Sequence, residues 1–228
     1  MNVRQNNCEF CCEFAGDARY ARGTERILFK TTHLAVVPSL GPLHRDHVLI
    51  CTLQHRTNLP ALSLREFAEF RIVLQQVQTL FGNLYGDQYV IFENGSLPGS
   101  EGGCSITHFH THVIPLARPF DQKLLPNDRQ YVPCADVDKV REQARITGNY
   151  LMVKLPNNAF LLASRSDLPS QFMRKVVASL NNRPEWDWRV TDLNPDWSAP
   201  VAALIPHFEA FQRGLERNAS NKLASFTA

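Results

Sequence analysis

The run Gly102-Gly103-Cys104-Ser105-Ile106-Thr107-His108-Phe109-His110-Thr111-His112-Val113-Ile114-Pro115 decides how the rest of the chain is read. Its histidines alternate with Phe109 and Thr111, and it closes on Val113, Ile114 and Pro115. In a β-strand, side chains at i, i+2 and i+4 share a face. His108, His110 and His112 are therefore expected to line one surface, with Phe109, Thr111 and Val113 directed to the other. A helix would splay them, and the β-branched and aromatic neighbours favour the strand. Gly95, Gly99, Gly102 and Gly103 precede the histidines and permit close backbone approach to a ligand. A lone strand histidine is ordinarily one polar position on a sheet face. Three of eight histidines packed so tightly are something else. Imidazolium groups this close depress one another's pKa values, which favours neutral, nucleophilic or metal-binding forms.

Composition sets the bounds. The 228 residues suffice for a well-buried core, as one large domain or one domain plus an extension. Hydrophobic content of 44% and charged content of 20% are those of a soluble globular protein. A formal net charge of +2 leaves no bulk electrostatic demand for nucleic acid or an acidic membrane. No segment approaches the apolar length of a bilayer span. Met1 to Ala15 is polar, without the apolar core of a secretory signal, so the cytoplasm is the expected compartment. Six cysteines in such a chain argue for reduced thiols and metal binding over a disulfide scaffold. Cys8 and Cys11 have the C-x-x-C spacing that lets two thiolates hold one tetrahedral metal from a tight turn. Alone, that spacing also fits a redox pair or an incidental one, and Cys12 is a competing thiol.

The segment His108-Phe109-His110-Thr111-His112-Val113-Ile114 resembles the signature of the histidine triad family, His-x-His-x-His followed by two apolar residues. That resemblance implies an α+β fold, an antiparallel sheet packed with helices, and nucleotide hydrolase or nucleotidyl transferase chemistry. It makes the middle histidine, His110, the nucleophile towards the α-phosphorus of a nucleotide, with a nucleotidyl-imidazole intermediate. Neutral imidazole suits the task, being nucleophilic near neutral pH and forming a phosphoramidate reactive enough to turn over. His112 becomes a hydrogen-bond partner on the phosphate or an assistant to the leaving group. The transferase and phosphorylase branches typically carry Gln at that third position, so His112 tilts the expectation towards hydrolysis. By the same resemblance Asn94 faces ribose or phosphate, and Ser105 contacts phosphate. Cys104 stands where Gln is often found, which weakens any transfer of detailed substrate preference. Backbone N–H groups around Gly103 can cradle phosphate as anion-binding nests do.

Asp46-His47-Val48-Leu49-Ile50 with His55 resembles the family's Gly-His-x-Leu-Ile-x-Pro-x-x-His segment, with Asp46 in place of Gly and Leu53 in place of Pro. In zinc-containing branches two N-terminal cysteines join a histidine after this strand and the first triad histidine. Carried over, the ligands are Cys8, Cys11, His55 and His108. Two thiolates and two imidazoles make a closed tetrahedral set of the structural kind for zinc.

Along the chain, strands are expected over 26–37, 47–52 and 87–93. A helix is expected over 62–85, capped by Ser63 with Glu66 and carrying a core stripe of Phe67, Phe70, Val73, Leu74, Val77, Leu80 and Phe81. Composition changes after Pro119, so the expected division is a catalytic domain over 1–120 and a smaller α+β extension over 121–228. Within the extension, 121–134 reads as linker or surface excursion, and 136–145 as a short helix. Residues 148–156 and 158–164 read as a hairpin, with helices from about Ser170 and over 201–218. Arg174, Lys175 and Arg189 are candidates to supply charge to a polyphosphate or a second substrate. Trp186 and Trp188 read as anchors of the extension.

The leading expectation is a zinc-stabilised nucleotide hydrolase acting on dinucleoside polyphosphates, nucleoside phosphoramidates or nucleotide sugars. The alternatives are a transferase or phosphorylase that uses phosphate or a sugar phosphate as acceptor, and a non-catalytic nucleotide-binding protein. Nucleic acid is not an expected partner, because no Lys/Arg stripe is present. A homodimer with a sheet shared between subunits is implied by the resemblance, unless the extension occupies that edge.

Overall fold

Short, apolar segments punctuated by Gly, Pro and Asn build a sheet that is buried on both faces. The strands are Phe29–Lys30 (β1), Leu34–Pro38 (β2), Val48–Thr52 (β3), Tyr89–Gly95 (β4), His110–Pro115 (β5), Val132–Cys134 (β6), Tyr150–Lys154 (β7) and Phe160–Ser164 (β8). The helices are Glu9–Phe14 (α1), Leu64–Tyr85 (α2), Val137–Thr147 (α3) and Phe172–Leu180 (α4), with a further helical stretch over 205–214. This computed structural model describes residues 8–17, 26–99, 106–155, 159–187 and 203–214.

Among the described residues eight strands join one sheet in the order β1-β2-β3-β5-β4-β7-β8-β6, and every neighbouring pair is antiparallel. The fold is therefore α+β, as the sequence implies. The seam between the two halves of the chain is a ladder, since β4 pairs with β7 from Ile91↔Lys154 to Gly95↔Tyr150.

Period-two alternation sorts the side chains onto two faces. On one lie Val36, Ile50, Val113, Ile91 and Met152, packed with Phe67, Phe70, Val73, Val77 and Phe81 of α2 and with Val140 and Ala144 of α3. Leu204 and Phe208 join this cluster. α2 starts where expected: Ser63 Oγ accepts from the Glu66 N–H and Glu66 Oε2 accepts from the Ser63 N–H, a reciprocal capping box worth about 1 kcal/mol. It ends at Gly86, whose φ of 59° favours glycine.

The other face has two separate covers. α1 packs Cys8 and Phe10 over Ala35, Val37, Leu49 and Cys51. α4 packs Met173, Val177 and Ala178 over Val90, Phe92, Ile114, Leu151 and Val153. The even-numbered residues of β5, His110 and His112, lie between these covers. The register confirms the placement, with Cys51 and Leu49 of β3 opposite His110 and His112 and Phe92 of β4 opposite His112.

Three expectations need correction. The apolar run 26–37 is a hairpin, β1 and β2, and not one strand. Thr31 Oγ1 accepts from the N–H groups of His33 and Leu34, and this side-chain turn chemistry interrupts an otherwise strand-like pattern. The polar stretch 121–134 ends in a strand, β6, on the outer edge beside β8. Pro133 is tolerated there because an edge strand need not donate on its outer side. Finally, β5 begins at His110, so His108 lies just before the strand and its ring leaves the shared face.

Gly95 is a site of close approach, though to protein. A Cβ there would collide with the ring of Tyr150, which is fully buried. The Tyr150 hydroxyl accepts from the Leu59 N–H at 2.9 Å and donates to Glu93 Oε1 at 2.7 Å, so the ring has no freedom to yield.

Candidate functional site

Two backbone groups fix how His110, His47 and His112 are protonated. A ring nitrogen beside a carbonyl oxygen must be a donor, and one beside an N–H must be an acceptor. His110 Nδ1 lies 2.6 Å from the His108 carbonyl and so donates to it, leaving the Nε2 lone pair available. The Leu43 N–H donates to His47 Nδ1 at 3.3 Å, which puts the His47 proton on Nε2. That proton is donated to His112 Nδ1 at 2.9 Å, leaving the His112 proton on Nε2. Phe92 stacks on His112 with 4.3 Å between centroids and 13° between planes, and holds the ring in orientation. His110 and His112 meet edge to face at 4.9 Å.

Burial keeps the set neutral. His47 and His112 are held well below the usual imidazole range, first by desolvation and then by the charges of their neighbours. For His47 the neighbours are Arg174, His44 and His110 in that order, and for His112 they are His110, His47 and Arg174. His110 is lowered by burial and by Arg174, against the His108 carbonyl that favours its protonated form. Folding thus carries fewer protons on these rings than the unfolded chain does, so stability is complete above about pH 6.5 and falls as pH drops through it. His47 and His112 act in the same direction in that window. Urea midpoints measured from pH 7.5 to pH 5 should fall steadily, and the slope should shrink in a folded His47→Asn variant.

His47 carries a role that strand periodicity alone does not reveal. Its signal is the match of Asp46 to Ile50 with the family segment. Asp46, standing where that segment has Gly, is buried, and its Oδ2 accepts from the Tyr85 hydroxyl at the end of α2. The turn is thereby held and His47 keeps its register.

On the α1 side, a second constellation forms. Cys8 Sγ lies 3.3 Å from His108 Nδ1, and Cys11 Sγ lies 3.4 Å from His55 Nδ1 and 3.6 Å from His108 Nδ1. All four ligand atoms lie within 4.8 Å of one another. Tetrahedral zinc with two sulfurs and two nitrogens needs ligand–ligand separations of about 3.4–3.8 Å, so the donor set fits. His108 Nε2 donates to the Thr52 carbonyl at 2.8 Å, which turns the Nδ1 lone pair towards the thiols. The C-x-x-C pair is seated on the first turn of α1, with Cys8 as its N-cap. Burial, and for Cys11 the neighbouring Cys8, push both thiols up, Cys11 to about 12, so protons rather than thiolates occupy the sulfurs unless a cation replaces them. Phe10 of α1 links the constellations, 5.3 Å from the His108 ring and 5.5 Å from the His110 ring.

Of the other candidates, Asn94 is half-buried on β4, paired with Leu151 of β7 and two residues beyond Phe92, where the β4–β5 ladder ends. Gly103, Cys104, Ser105, Trp188 and Arg189 lie outside the described residues. Trp186 packs on the α4 cluster, with Lys175 Nζ 4.4 Å over its ring. Arg174, from the first turn of α4, reaches the neighbourhood of the histidines. It donates from Nη2 to the Gly41 carbonyl at 2.7 Å and from Nε to the Trp186 carbonyl at 2.8 Å.

Fold and site together define an α+β protein built around an alternating-histidine strand in an antiparallel sheet. Residues 22–118 match the family model described as HIT domain. Solved structures similar to the chain include a hypothetical protein from Leishmania major, at 23% identity and a TM-score of 0.44, covering 62% of this chain and 93% of that one. A Zn-bound histidine triad family protein from Mycobacterium smegmatis is 21% identical at a TM-score of 0.39, covering 48% of this chain and 75% of that one. A diadenosine triphosphate hydrolase from Plasmodium falciparum, in complex with Cyclomarin A, is 21% identical at a TM-score of 0.36, covering 54% and 74%. No curated protein matches the chain. Among the described residues no helix is long and apolar enough to cross a membrane.

Proposed function

We propose that the protein is a nucleotide hydrolase that cleaves at the α-phosphate through a nucleotidyl-His110 intermediate. The observation that carries this reading is the His110 Nδ1–H bond to the His108 carbonyl, which leaves Nε2 as an oriented lone pair between the two covers of the sheet. His110 Nε2 attacks the α-phosphorus, a P–N bond forms, and the bond to the leaving oxygen breaks with its electron pair going to the leaving group. His112 donates from Nε2 to the phosphoryl or leaving oxygen as charge collects there. His47 holds the His112 tautomer by donating to Nδ1. Water then attacks phosphorus, the P–N bond breaks, and His110 returns to its neutral form as a proton passes to solvent. Asn94, Ser105 and the backbone at Gly103 are proposed to bind ribose and phosphate. Dinucleoside polyphosphates, nucleoside phosphoramidates and nucleotide sugars are the substrate classes.

Zinc is proposed at Cys8, Cys11, His55 and His108, where it would pin α1 to the sheet and stay clear of the substrate. The supporting observation is the donor geometry described above.

The test is a panel of dinucleoside polyphosphates, a nucleoside phosphoramidate and a nucleotide sugar, incubated with and without inorganic phosphate and analysed by mass. Nucleoside monophosphate formed without phosphate is the expected product. Nucleoside diphosphate that appears only when phosphate is added would replace hydrolysis with phosphorolysis.

A further inference from the structure

The turn over 39–47 is the support of the His47–His112 hydrogen bond, and besides its own local bonds it is held by three hydrogen bonds from the far half of the chain. Its Leu43 N–H sets the His47 tautomer. Its Gly41 carbonyl accepts from Arg174, its Leu43 carbonyl accepts from Asn181 Nδ2 at 3.0 Å, and its Pro42 carbonyl accepts from Arg183 at 3.3 Å. Asn181 also ties down the end of β5, donating to the Pro115 carbonyl at 2.9 Å and accepting from the Ala117 N–H at 2.8 Å. Arg174 is the deepest of these ties, only 6% exposed, and it spans two segments by joining Gly41 to Trp186. Its charge also bears on His47, His110 and His112 alike.

We propose that Arg174 is a positioning residue of the histidine site: by bridging Gly41 and Trp186 it fixes the 41–47 turn and with it the hydrogen bond through which His47 orients His112. A guanidinium suits this because its planar fork presents donors in two directions at once, whereas the ammonium of lysine is a single point charge on a flexible stem. The extension is then part of the active-site scaffold, not an appendage to it. The proposal rests on the histidine relay of the function proposed above.

It is tested by a readout that needs no substrate. In the imidazole region of a 1H–15N spectrum of the full chain, the buried His47 Nε2–H gives a signal assigned by its loss in His47→Asn. Arg174→Met should broaden that signal or erase it, Arg174→Lys should restore it only in part, and Lys139→Ala, at an exposed position on α3, should leave it in place. A His47 signal unchanged in position and exchange rate in a folded Arg174→Met protein would overturn the proposal. If Arg174→Met does not fold, Arg174→Lys carries the same comparison. With diadenosine triphosphate as probe, Arg174→Met should slow formation of the covalent adduct by about tenfold to hundredfold with little change in KM. A lost His47 signal in Arg174→Met, together with a wild-type protein inert to every nucleotide, would support the positioning role while removing the hydrolase reading.

Discussion

Replacing His110 with alanine should leave a folded protein that no longer forms a covalent nucleotidyl adduct, with turnover of a dinucleoside polyphosphate reduced on the order of 10⁴-fold or more. The size follows from the geometry. His110 is the ring whose Nδ1 is occupied by a backbone carbonyl while Nε2 remains a lone pair, whereas His112 presents Nε2–H and has its Nδ1 engaged by His47. His108 has its Nε2 committed to the Thr52 carbonyl and its Nδ1 facing thiols. His108 and His112 thus both carry the proton on Nε2 with Nδ1 engaged, while His110 has the opposite tautomer with Nε2 as the lone pair, the arrangement that the proposed attack requires. The check is an alkaline quench after a single turnover, because the P–N bond is acid-labile, followed by mass analysis of peptides. An adduct that forms undiminished in His110→Ala, or is found on His112, would sink the assignment. His112→Asn should give a different pattern: adduct still forms, but more slowly, because a hydrogen-bond donor and not the nucleophile has been removed.

How much of this was open to inspection in the sequence depends on how local each cause is. α2 is legible because its cap, Ser63 with Glu66, and its apolar stripe lie within one segment and obey one period. The β7–β8 hairpin is legible for the same reason. β6 is not, since three residues including a proline carry no period, and the strand exists because β8 offers an edge. The split at Thr31 turns on a hydroxyl satisfying two N–H groups, chemistry that an apolar pattern does not display.

At the site, His108, His110 and His112 announce themselves by spacing, but their division of labour does not follow from it. The hydrogen bonding behind the proposed division comes from His108 dropping out of the strand and from a contact between His47 and His112, 65 residues apart. The reach of Arg174 to Gly41 spans 133 residues and depends on α4 being carried to the histidine face by the β4–β7 ladder. The sequence marks Arg174 as a cation of interest and leaves its target open. Long-range pairing supplies it.

Cys8→Ser, or removal of metal by a strong chelator, should lower the melting temperature by about 10 °C or more, the shift that several kcal/mol produces in a chain of this size. α1 has six residues and cannot persist on its own propensity. Its anchors are Phe10 and Cys8 in the small cluster over Ala35 and Cys51, the buried pair between Glu13 and Arg26, and the proposed metal. Arg26 also donates to the Pro38 carbonyl, so the ion pair ties α1 to the end of β2 and should survive the substitution. The metal anchor should not. With one sulfur gone, Cys11 keeps its proton in a half-buried setting and the four-ligand set is incomplete. Elemental analysis of protein purified without chelator should give one zinc per chain for the wild type and less for Cys8→Ser. The linkage to pH has a defined sign: binding displaces protons from Cys8 and Cys11, so affinity should rise as pH increases. Because Phe10 lies against both His108 and His110, loosening α1 should also slow adduct formation at His110 without moving the site of attack. A wild-type chain that binds no metal, with a melting temperature indifferent to Cys8→Ser, would leave the cluster as a packed thiol–imidazole contact and transfer the anchoring of α1 to Glu13, Arg26 and Phe10.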